Sequence, residues 1–595
     1  MSIIVQKFGG TSVATTEKIL SAAKKAIKAQ QEGHQVVMVV SAMGKNTDVL
    51  VSLAHELMDR PPAREMDMLL STGEQVSVAL TAMAIMSLGH KAVSLTGAQI
   101  GIRTDNEFGK ARIISISTDR MQKLLDDGNI VIAAGFQGID EEFNITTLGR
   151  GGSDTTAVSL AAVLGASCEI YTDVDGVYTA DPRVVSTARK VTHTSYDEML
   201  EMASLGAGVM HSRSIEFAKK FNVPVHVRSS QEDTTGTIIS TVSEDPTRGV
   251  SGAAVTMDEA RITLSGVPDK PGTSNAIFSA IARANITVDM IVQDAGVGGI
   301  SNISFTVPSA ELAPTLEAVQ PIAEQLGIQN ITSRDNVSKI SVVGIGMAEQ
   351  SGVSDRMFRA LSDKSINIHM ITTSQIKISV LVDRDQALEA INAVHQTFEL
   401  DATSSDAVPA ESPQATPAAD PAAAANKLQG MEELAITDIA LDLTQASISI
   451  HGVPDTPGIA ATIFETVAQE NIIVDMIIQS YLDDSEFASL SFTVQREDHQ
   501  RTLDVLQDMQ SEVSFQEVAS NPAVAKLSVS GIGLRSHTGV AIRMFQSLAE
   551  AGMNIEMINT SEVRVNVVVD DSQGDSGLKA LTQAFEDVMG RQVNI

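Results

Sequence analysis

The second half of the chain repeats itself. Ile262-Thr-Leu-Ser-Gly-Val-Pro-Asp-Lys-Pro-Gly272 returns 186 residues later as Ile448-Ser-Ile-His-Gly-Val-Pro-Asp-Thr-Pro-Gly458, and Asn285-Ile-Thr-Val-Asp-Met-Ile-Val-Gln293 returns as Asn471-Ile-Ile-Val-Asp-Met-Ile-Ile-Gln479. A second block, Lys339-Ile-Ser-Val-Val-Gly-Ile-Gly346, returns 187 residues later as Lys526-Leu-Ser-Val-Ser-Gly-Ile-Gly533, and Asn367-Ile368 continues it as Asn554-Ile555. The two blocks also share a pattern of strand, glycine turn, amphipathic helix, a strand begun by Asn-Ile, another strand and a second helix. At roughly 70 residues each this is a βαββαβ, ferredoxin-like unit. Four such units are expected, in two tandem pairs, over residues 251–335, 336–401, 433–521 and 522–595. Residues 402–432 are rich in Ala, Pro, Ser and Asp without apolar periodicity, and read as a linker. As a coil it would span roughly 30 Å, enough for the second pair to fold back on the first.

Residues 1–250 have a different rhythm, in which apolar runs at Ile3 to Lys7, Gln35 to Ser41, Ala92 to Thr96, Ile130 to Gly135, Glu169 to Asp173 and Val225 to Ser229 alternate with helical stretches such as Thr16 to Gln31. The order predicts an α/β domain with a mostly parallel sheet and helices on both faces. Ligands in such folds sit beyond the carboxyl ends of strands, so the glycine-rich turns there are inspected first.

Composition narrows the class of function. Lys and Arg number 42 against 74 Asp and Glu, a formal net charge of −32, which argues against a nucleic-acid partner. Hydrophobic residues make up 43% and charged residues 19%, in the range of folded soluble chains. Cys168 is the only cysteine, so no intrachain disulfide can form, and its apolar setting suits a buried structural thiol. No run reaches about 18 apolar residues and no secretory leader pattern opens the chain, so no membrane partner is expected and the location is expected to be cytoplasmic.

Three constellations carry chemistry. Lys7-Phe8-Gly9-Gly10-Thr11-Ser12 ends a strand in two glycines before a helix, where backbone N–H groups, a helix N-terminus and the Lys7 charge can cradle phosphate; a plain structural turn is the alternative. Gly149-Arg150-Gly151-Gly152-Ser153-Asp154 leads into an apolar helix at Ala157 to Leu164. Ser153 or Asp154 could simply cap that helix, but an arginine between glycines can offer its fork to a carboxylate. Tyr171-Thr172-Asp173-Val174-Asp175-Gly176-Val177-Tyr178 with Asp181 and Arg183 is either a surface turn or a place for nucleotide and magnesium. Ser41 to Asp48 and Ser71-Thr72-Gly73-Glu74-Gln75 read as strand-to-helix or helix-start positions. His55-Glu56 lacks the second histidine of a zinc-protease helix, and Gly344-Ile345-Gly346 and Gly531-Ile532-Gly533 lack the third glycine of a dinucleotide fingerprint, so no protein-only metal site and no fused dehydrogenase are expected.

Taken in order, Lys7-Phe8-Gly9-Gly10-Thr11, Ser71-Thr72-Gly73-Glu74, Gly149-Arg150-Gly151-Gly152-Ser153-Asp154, Thr172-Asp173 and Asp181-Pro182-Arg183 resemble the aspartate kinases of the amino acid kinase family, and the repeats resemble ACT regulatory domains in the four-unit layout of the cyanobacterial type. The resemblance implies transfer of the γ-phosphoryl group of ATP to the β-carboxylate of L-aspartate, the first step towards lysine, threonine and methionine, with feedback inhibition through the ACT domains. It implies that Lys7 stabilises the transferring group, with Gly9, Gly10 and Thr11 at the phosphates. Arg150 is implied for the substrate α-carboxylate and Glu74 for its α-ammonium, the latter supported by Asp154 with Ser153 nearby; Ser41 and Thr47 would orient the other end. Thr172, Asp173, Tyr178, Asp181 and Arg183, with Gly208 and Val209 beside the adenine, would contact ATP and its magnesium. Many relatives have lysine at the place of Gly208, so a lysine contact to the nucleotide is not carried over, while backbone contacts there can survive.

The acceptor carboxylate has a pKa near 4 and needs no general base, so catalysis reduces to positioning and charge neutralisation. A glutamate kinase, whose substrate differs by one methylene, and an amino-acid sensor with an inactive kinase domain remain as alternatives at this stage. For the repeats, an effector needs an acceptor for its ammonium and N–H groups for its carboxylate. Asp269, Gly272, Thr273 and Gln293 with Asn367 and Ile368, and Asp455, Gly458 and Gln479 with Asn554 and Ile555, are expected to supply them, one effector site per pair; structural turns are the alternative. Lysine and threonine are the implied effectors, acting on a homodimer or higher homo-oligomer formed through ACT domains.

Overall fold

The computed structural model describes residues 2–206, 209–294, 299–350, 352–403, 435–481, 487–532, 534 and 539–589. The N-terminal strands are β1 Ile3–Phe8, β2 Gln35–Val40, β3 Ala92–Leu95, β4 Ile102–Thr104, β5 Ile113–Ile116, β6 Ile130–Ala134, β7 Gln137–Ile139, β8 Ile145–Thr147, β9 Ser167–Thr172, β10 His193–Ser195, β11 Val225–Ser229 and β12 Thr237–Ser240. Eight form one sheet in the order β10-β12-β11-β9-β1-β2-β6-β3, whose ladders are parallel except for β11 against β12. Buried side chains alternate along β2: Val36, Met38 and Val40 pack under the helices Thr16–Gln31 and Ala63–Ser87, whereas Val37 and Val39 join Ala157, Leu160 and Ala161 of the helix Gly152–Leu164 on the other face. Thr15 starts the first of these helices by accepting Lys18 N at 3.4 Å.

A small second sheet, β5-β4-β7-β8, has strands of three or four residues and was not anticipated from periodicity. Two expectations need correction. Ser71 to Gln75 is not a helix start but lies inside the helix Ala63–Ser87, and the apolar helix after Arg150 begins at Gly152, so Ser153 and Asp154 sit in its first turn rather than cap it. Ala63–Ser87 is long and apolar enough, by length and composition, to cross a membrane; here it packs on the sheet with Ser71, Glu74, Ser77 and Thr81 buried. Cys168 is fully buried, which pushes its thiol pKa up.

The regulatory half is built from β13 Gly252–Pro268, β14 Asp289–Gln293, β15 Ile300–Pro308, β16 Asn330–Val343, β17 Met370–Thr373, β18 Lys377–Asp383, β19 Ala435–Pro454, β20 Val474–Tyr481, β21 Phe487–Gln495, β22 Glu517–Ile532, β23 Met557–Thr560 and β24 Arg564–Asp570. All twelve close into one hydrogen-bonded ring, β13-β15-β14-β23-β24-β22-β19-β21-β20-β17-β18-β16. Units 1 and 4 therefore meet edge to edge, Gln293 opposite Ile558, and units 3 and 2 likewise, Ile371 opposite Gln479. The second pair does fold back on the first. Each meeting has its own core: Phe278 of unit 1 against Phe545 of unit 4 at 5.8 Å, and Phe358 of unit 2 against Phe464 of unit 3 at 5.6 Å.

The units are less separate than their repeats suggest. β16 runs without a break through the place where unit 1 was expected to give way to unit 2, and β22 does the same between units 3 and 4. The expected Asn-Ile strand start at Asn285 is a turn with φ +57°, and β14 begins only at Asp289. Ala402, expected to open the linker, is tied down through its carbonyl by Arg189 and Arg248; residues 404–434 lie outside the described residues, as do Gly208 and Gly533. Gly344 and Gly346 have a packing reason, since a Cβ on either would lie 2.3 Å from Gly249 O or 2.7 Å from Arg248 O.

Candidate active site

The carboxyl end of β1 lies at the switch point of the sheet, with β2 on one side and β9 on the other. Lys7 is buried there, its Nζ 2.6 Å from Asp154 Oδ1 in the first turn of Gly152–Leu164. Phe8 stacks on Tyr171 at 4.7 Å and Gly9 N donates to Tyr171 O at 3.3 Å, which locks the β1 and β9 ends together. A Cβ on Gly9 would sit 3.6 Å from the Lys7 ammonium, and one on Gly10 only 2.7 Å from Ala42 O. Glycine at position 10 is thus what lets the turn after β1 close on the turn after β2, where Gly44 N donates to Gly10 O at 3.0 Å. Thr11 is exposed, and its carbonyl accepts Lys18 Nζ at 2.8 Å. Ser12, part of the motif but given no role from sequence, buries a hydroxyl with no hydrogen-bond partner among the described residues.

Glu74 arrives from the helix Ala63–Ser87. A Cβ on Gly73 would fall 2.8 Å from Ala42 Cβ, so glycine inside that helix, ordinarily unfavourable, permits the approach. Glu74 Oε1 accepts Ala42 N at 3.0 Å, while Oε2 is buried without a partner. Burial raises this carboxyl to about 7, the bond from Ala42 pulling the other way. Ser41 and Thr47 are half-buried on either side of this turn.

Arg150 stands exposed between Gly149 (φ +76°) and Gly151 (φ +72°), both left-handed, and a Cβ on Gly151 would lie 2.3 Å from His211 Cβ. Its loop is held from below by Asp67, which sequence reasoning missed. Asp67 is 1% exposed and accepts Gly109 N, Thr147 N and Thr147 Oγ1 at 2.7 to 2.9 Å. Nothing in the local sequence marks Asp67, because its partners lie 42 and 80 residues away. Ser153 is buried against the end of β6, where a Cβ on Gly135 would meet its Oγ at 2.6 Å.

Beyond β9 the expected nucleotide residues spread along a loop. Thr172 Oγ1 donates to Asp173 at 3.0 Å, Tyr178 Oη to Asp175 at 2.8 Å, and Arg183 pairs with Asp181 at 2.7 Å. Arg183 holds the Asp181 carboxyl below its usual range. Thr172 and Asp173 directly follow the strand beside β1, whereas the 178–183 stretch leans on the regulatory half: Ala180 shares the core of units 2 and 3, and Thr179 Oγ1 meets His395 Nε2 of unit 2 at 3.0 Å. Val209 packs against the N-terminal core.

A glycine turn, a buried lysine–carboxylate pair and a buried carboxylate with one free oxygen come from elements at the carboxyl end of β1, in a domain joined to a ring of ferredoxin-like units. The Amino acid kinase family model matches residues 2–229, and the ACT domain model matches 262–321, 340–398, 447–510 and 527–585. The chain is 49% identical over 402 residues to an aspartokinase of Bacillus sp. (strain MGA3), covering 67% of this chain and 98% of that one. Among solved structures it is similar to the aspartate kinase from Synechocystis, with a TM-score of 0.52 and 38% identity over 98% of both chains. It is also similar to E. coli aspartokinase III in complex with aspartate and ADP (R-state), with a TM-score of 0.56 and 25% identity over 67% of this chain and 99% of that one. The same enzyme in complex with lysine and aspartate (T-state) gives 0.53 and 26% over the same shares. The chain belongs to the aspartokinase family. Its activity is phosphorylation of aspartate by ATP, which removes the glutamate-kinase and inactive-sensor alternatives.

Proposed function

We propose that the β-carboxylate of L-aspartate attacks the γ-phosphorus of ATP between Lys7 and Glu74 as the bond to the β,γ-bridging oxygen breaks and ADP leaves, and that the observations carrying this division of labour are the buried pair Lys7–Asp154 and Glu74 Oε2, unpartnered among the described residues. The attacking oxygen is already ionised at neutral pH, so the chain has no proton to remove. Lys7 and the N–H groups of Gly10 and Thr11 neutralise charge on the transferring group, while the Gly9 N–H expected beside them is held by Tyr171 O; the Ser12 hydroxyl, without a partner among the described residues, is a further donor. Glu74 takes the substrate ammonium with Asp154 and Ser153 beside it; Ser41 and Thr47 flank the reacting end.

ATP is placed by Thr172, Asp173, Tyr178, Asp181 and Arg183, with Val209 at the base. Asp173 and Asp181 are hard oxygen donors suited to magnesium, which when bound supplies further neutralisation of phosphate charge. The protein is proposed to work in the cytoplasm. Any homo-oligomer built through the ACT domains would use their helical faces, since the ring engages the sheet edges of all four units within one chain.

Arg150 is assigned to the substrate α-carboxylate because it is exposed, lies between two left-handed glycines and makes no ion pair among the described residues. Arg150→Ala should raise the KM for aspartate by about 100-fold, the scale of a lost charged hydrogen-bonding partner, and leave the KM for ATP within about twofold. Aspartate-dependent ADP release at varied concentrations of each substrate measures both; equal rises would assign Arg150 to phosphate instead.

Glu74 gives a pH signature. Its folded pKa of about 7 stands above the unfolded 4.5, so the protonated form favours the fold: the contribution is complete below pH 4.5 and is lost as pH rises through 7. Substrate binding has the opposite sense, because only the ionised carboxylate pairs with an ammonium. The apparent affinity for aspartate should therefore rise as pH passes through about 7 and then level off, and Glu74→Gln should flatten that rise. An unchanged profile in the variant would remove Glu74 from the ammonium site.

The residues expected to form one effector site per pair hydrogen-bond across the pairs instead. Asn554 of unit 4 donates to Asp269 of unit 1 at 2.8 Å, and Gln293 Nε2 to Ile555 O at 2.6 Å; Asn367 of unit 2 donates to Asp455 of unit 3 at 3.0 Å, and Gln479 Nε2 to Ile368 O at 2.9 Å. Each junction joins one unit from each pair, because the ring places unit 1 beside unit 4 and unit 2 beside unit 3. Amino-acid effectors, lysine or threonine, are proposed to bind at these two junctions, with their carboxylates at the helix starts after Gly272-Thr273 and after Gly458. They would bias the kinase only through unequal affinity for its active and inactive arrangements.

A further inference from the structure

The two junctions are related by the repeat, yet their chemistry differs at one pair of positions. In unit 1, Ser274 Oγ donates to Gln293 Oε1 at 2.7 Å, so both ends of that buried amide are engaged, Nε2 already serving Ile555 O. The equivalent of Ser274 in unit 3 is Ala460. Gln479 keeps its bond to Ile368 O, but with no hydroxyl at position 460 its Oε1 is left buried without a partner among the described residues, in a residue only 7% exposed. An orphaned amide oxygen is costly, and natural structures seldom keep one without a reason.

The orphan lines a cleft between units 2 and 3 of about 20 Å³, room for roughly one water. The same cleft is lined by Asn367, Asp455 and Gly458. Gly458, at φ +99°, precedes the helix Ile459–Gln469, whose first turn has no side-chain cap. A zwitterionic α-amino acid answers both needs: its carboxylate the free N–H groups of the helix start, its ammonium the Gln479 carbonyl. A cleft of this size must open to admit one, by parting the Asp455 turn from Asn367.

Resting on the effector assignment above, we infer that the junction of units 2 and 3 is the tighter of the two amino-acid sites, and that Ala460 is the specificity-determining position because it leaves the Gln479 acceptor free. At the junction of units 1 and 4 a ligand ammonium must instead displace the Ser274 hydroxyl or use it as a poorer acceptor. Two sites of unequal affinity let one chain answer effector over a wider concentration range than two equal sites would.

Calorimetric titration of the full chain with L-lysine and, separately, L-threonine tests this. At least one of them should bind in two classes whose Kd values differ about tenfold or more, the scale of one charge-assisted hydrogen bond. Ala460→Ser, which puts a hydroxyl beside Gln479, should weaken the tighter class about tenfold and leave the weaker one in place; Ser274→Ala should tighten the weaker class. Ala460→Gly, which keeps the acceptor free, should behave as wild type, and thermal melting confirms that each variant is folded. Two classes that persist unchanged in Ala460→Ser, or a single class indifferent to it, overturn the inference while leaving the effector sites standing. No heat with either amino acid in the wild-type chain overturns the effector assignment and this inference with it.

Discussion

Lys7→Ala should lower kcat about 100-fold or more while the protein stays folded, the effect of removing one preorganised donor from developing transition-state charge. The size follows from position. Lys7 is 9% exposed, so its charge acts on the phosphoryl group through little water, and its close counter-ion among the described residues is Asp154 at 2.6 Å. The loss also strands Asp154, whose side chain is 13% exposed, as a carboxylate without its counter-ion, adding repulsion toward incoming phosphate to the missing attraction. Asp154→Asn separates the two contributions: it keeps Lys7 and removes the carboxylate, and should cost less in kcat than Lys7→Ala. Lys7→Arg should not restore turnover, because a wide planar fork does not fit where a compact ammonium sits, in a space so close to Gly9 that a Cβ there would lie 3.6 Å from Nζ. Single-turnover rates of the folded variants measure the effect; a kcat for Lys7→Ala within threefold of wild type would remove Lys7 from the chemistry.

The parts of this molecule legible in its sequence are those whose reasons are local. β1, β2, β9 and β11 and the helix Thr16–Gln31 fall within a residue or two of where periodicity and capping put them, because each strand's burial is written into its own side chains. The cradle glycines were also visible, although their reasons are partly distant: Gly10 and Gly73 are needed because Ala42 comes close to both. The repeat disclosed four units but not how they pair. Asp455 and Asn367 are 88 residues apart and Asp269 and Asn554 are 285 apart, and nothing in either motif names its partner. Continuity of β16 across two units was hidden for a related reason: a repeat marks where a pattern restarts, not where hydrogen bonding stops. Gln293 and Gln479 look alike as letters, and only the neighbours at 274 and 460, read in three dimensions, tell them apart.

Least visible of all is the pair that ties the regulatory ring to the kinase, and the second large effect is expected there. Glu201, in the helix Tyr196–Ser204, is fully buried, and Lys377 Nζ at the start of β18 lies 2.7 Å from its Oε2. Glu562 N of unit 4 donates to Glu201 Oε1 at 3.2 Å, so three modules converge on one carboxylate. Burial pushes the Glu201 pKa up, with Lys377 opposing; burial would lower Lys377, but Glu201, Asp289 and Glu562 more than reverse it. Such a pair gains little over apolar packing while intact, yet breaking it leaves a charge with no water to turn to. Lys377→Met should therefore destabilise the chain by about 3 to 5 kcal/mol, and adding Glu201→Gln should recover most of that loss because the carboxylate in contact with the lost ammonium is then neutral. In a chain of several cooperative units the measurement is the urea midpoint of the first transition across the four members of the double-mutant cycle. The helix carrying Glu201 leads directly into the stretch that ends at Val209, so the recovered double variant should show its kinetic defect in the KM for ATP rather than for aspartate. Equal midpoints for Lys377→Met and the double variant would show that packing, not charge, holds this junction together.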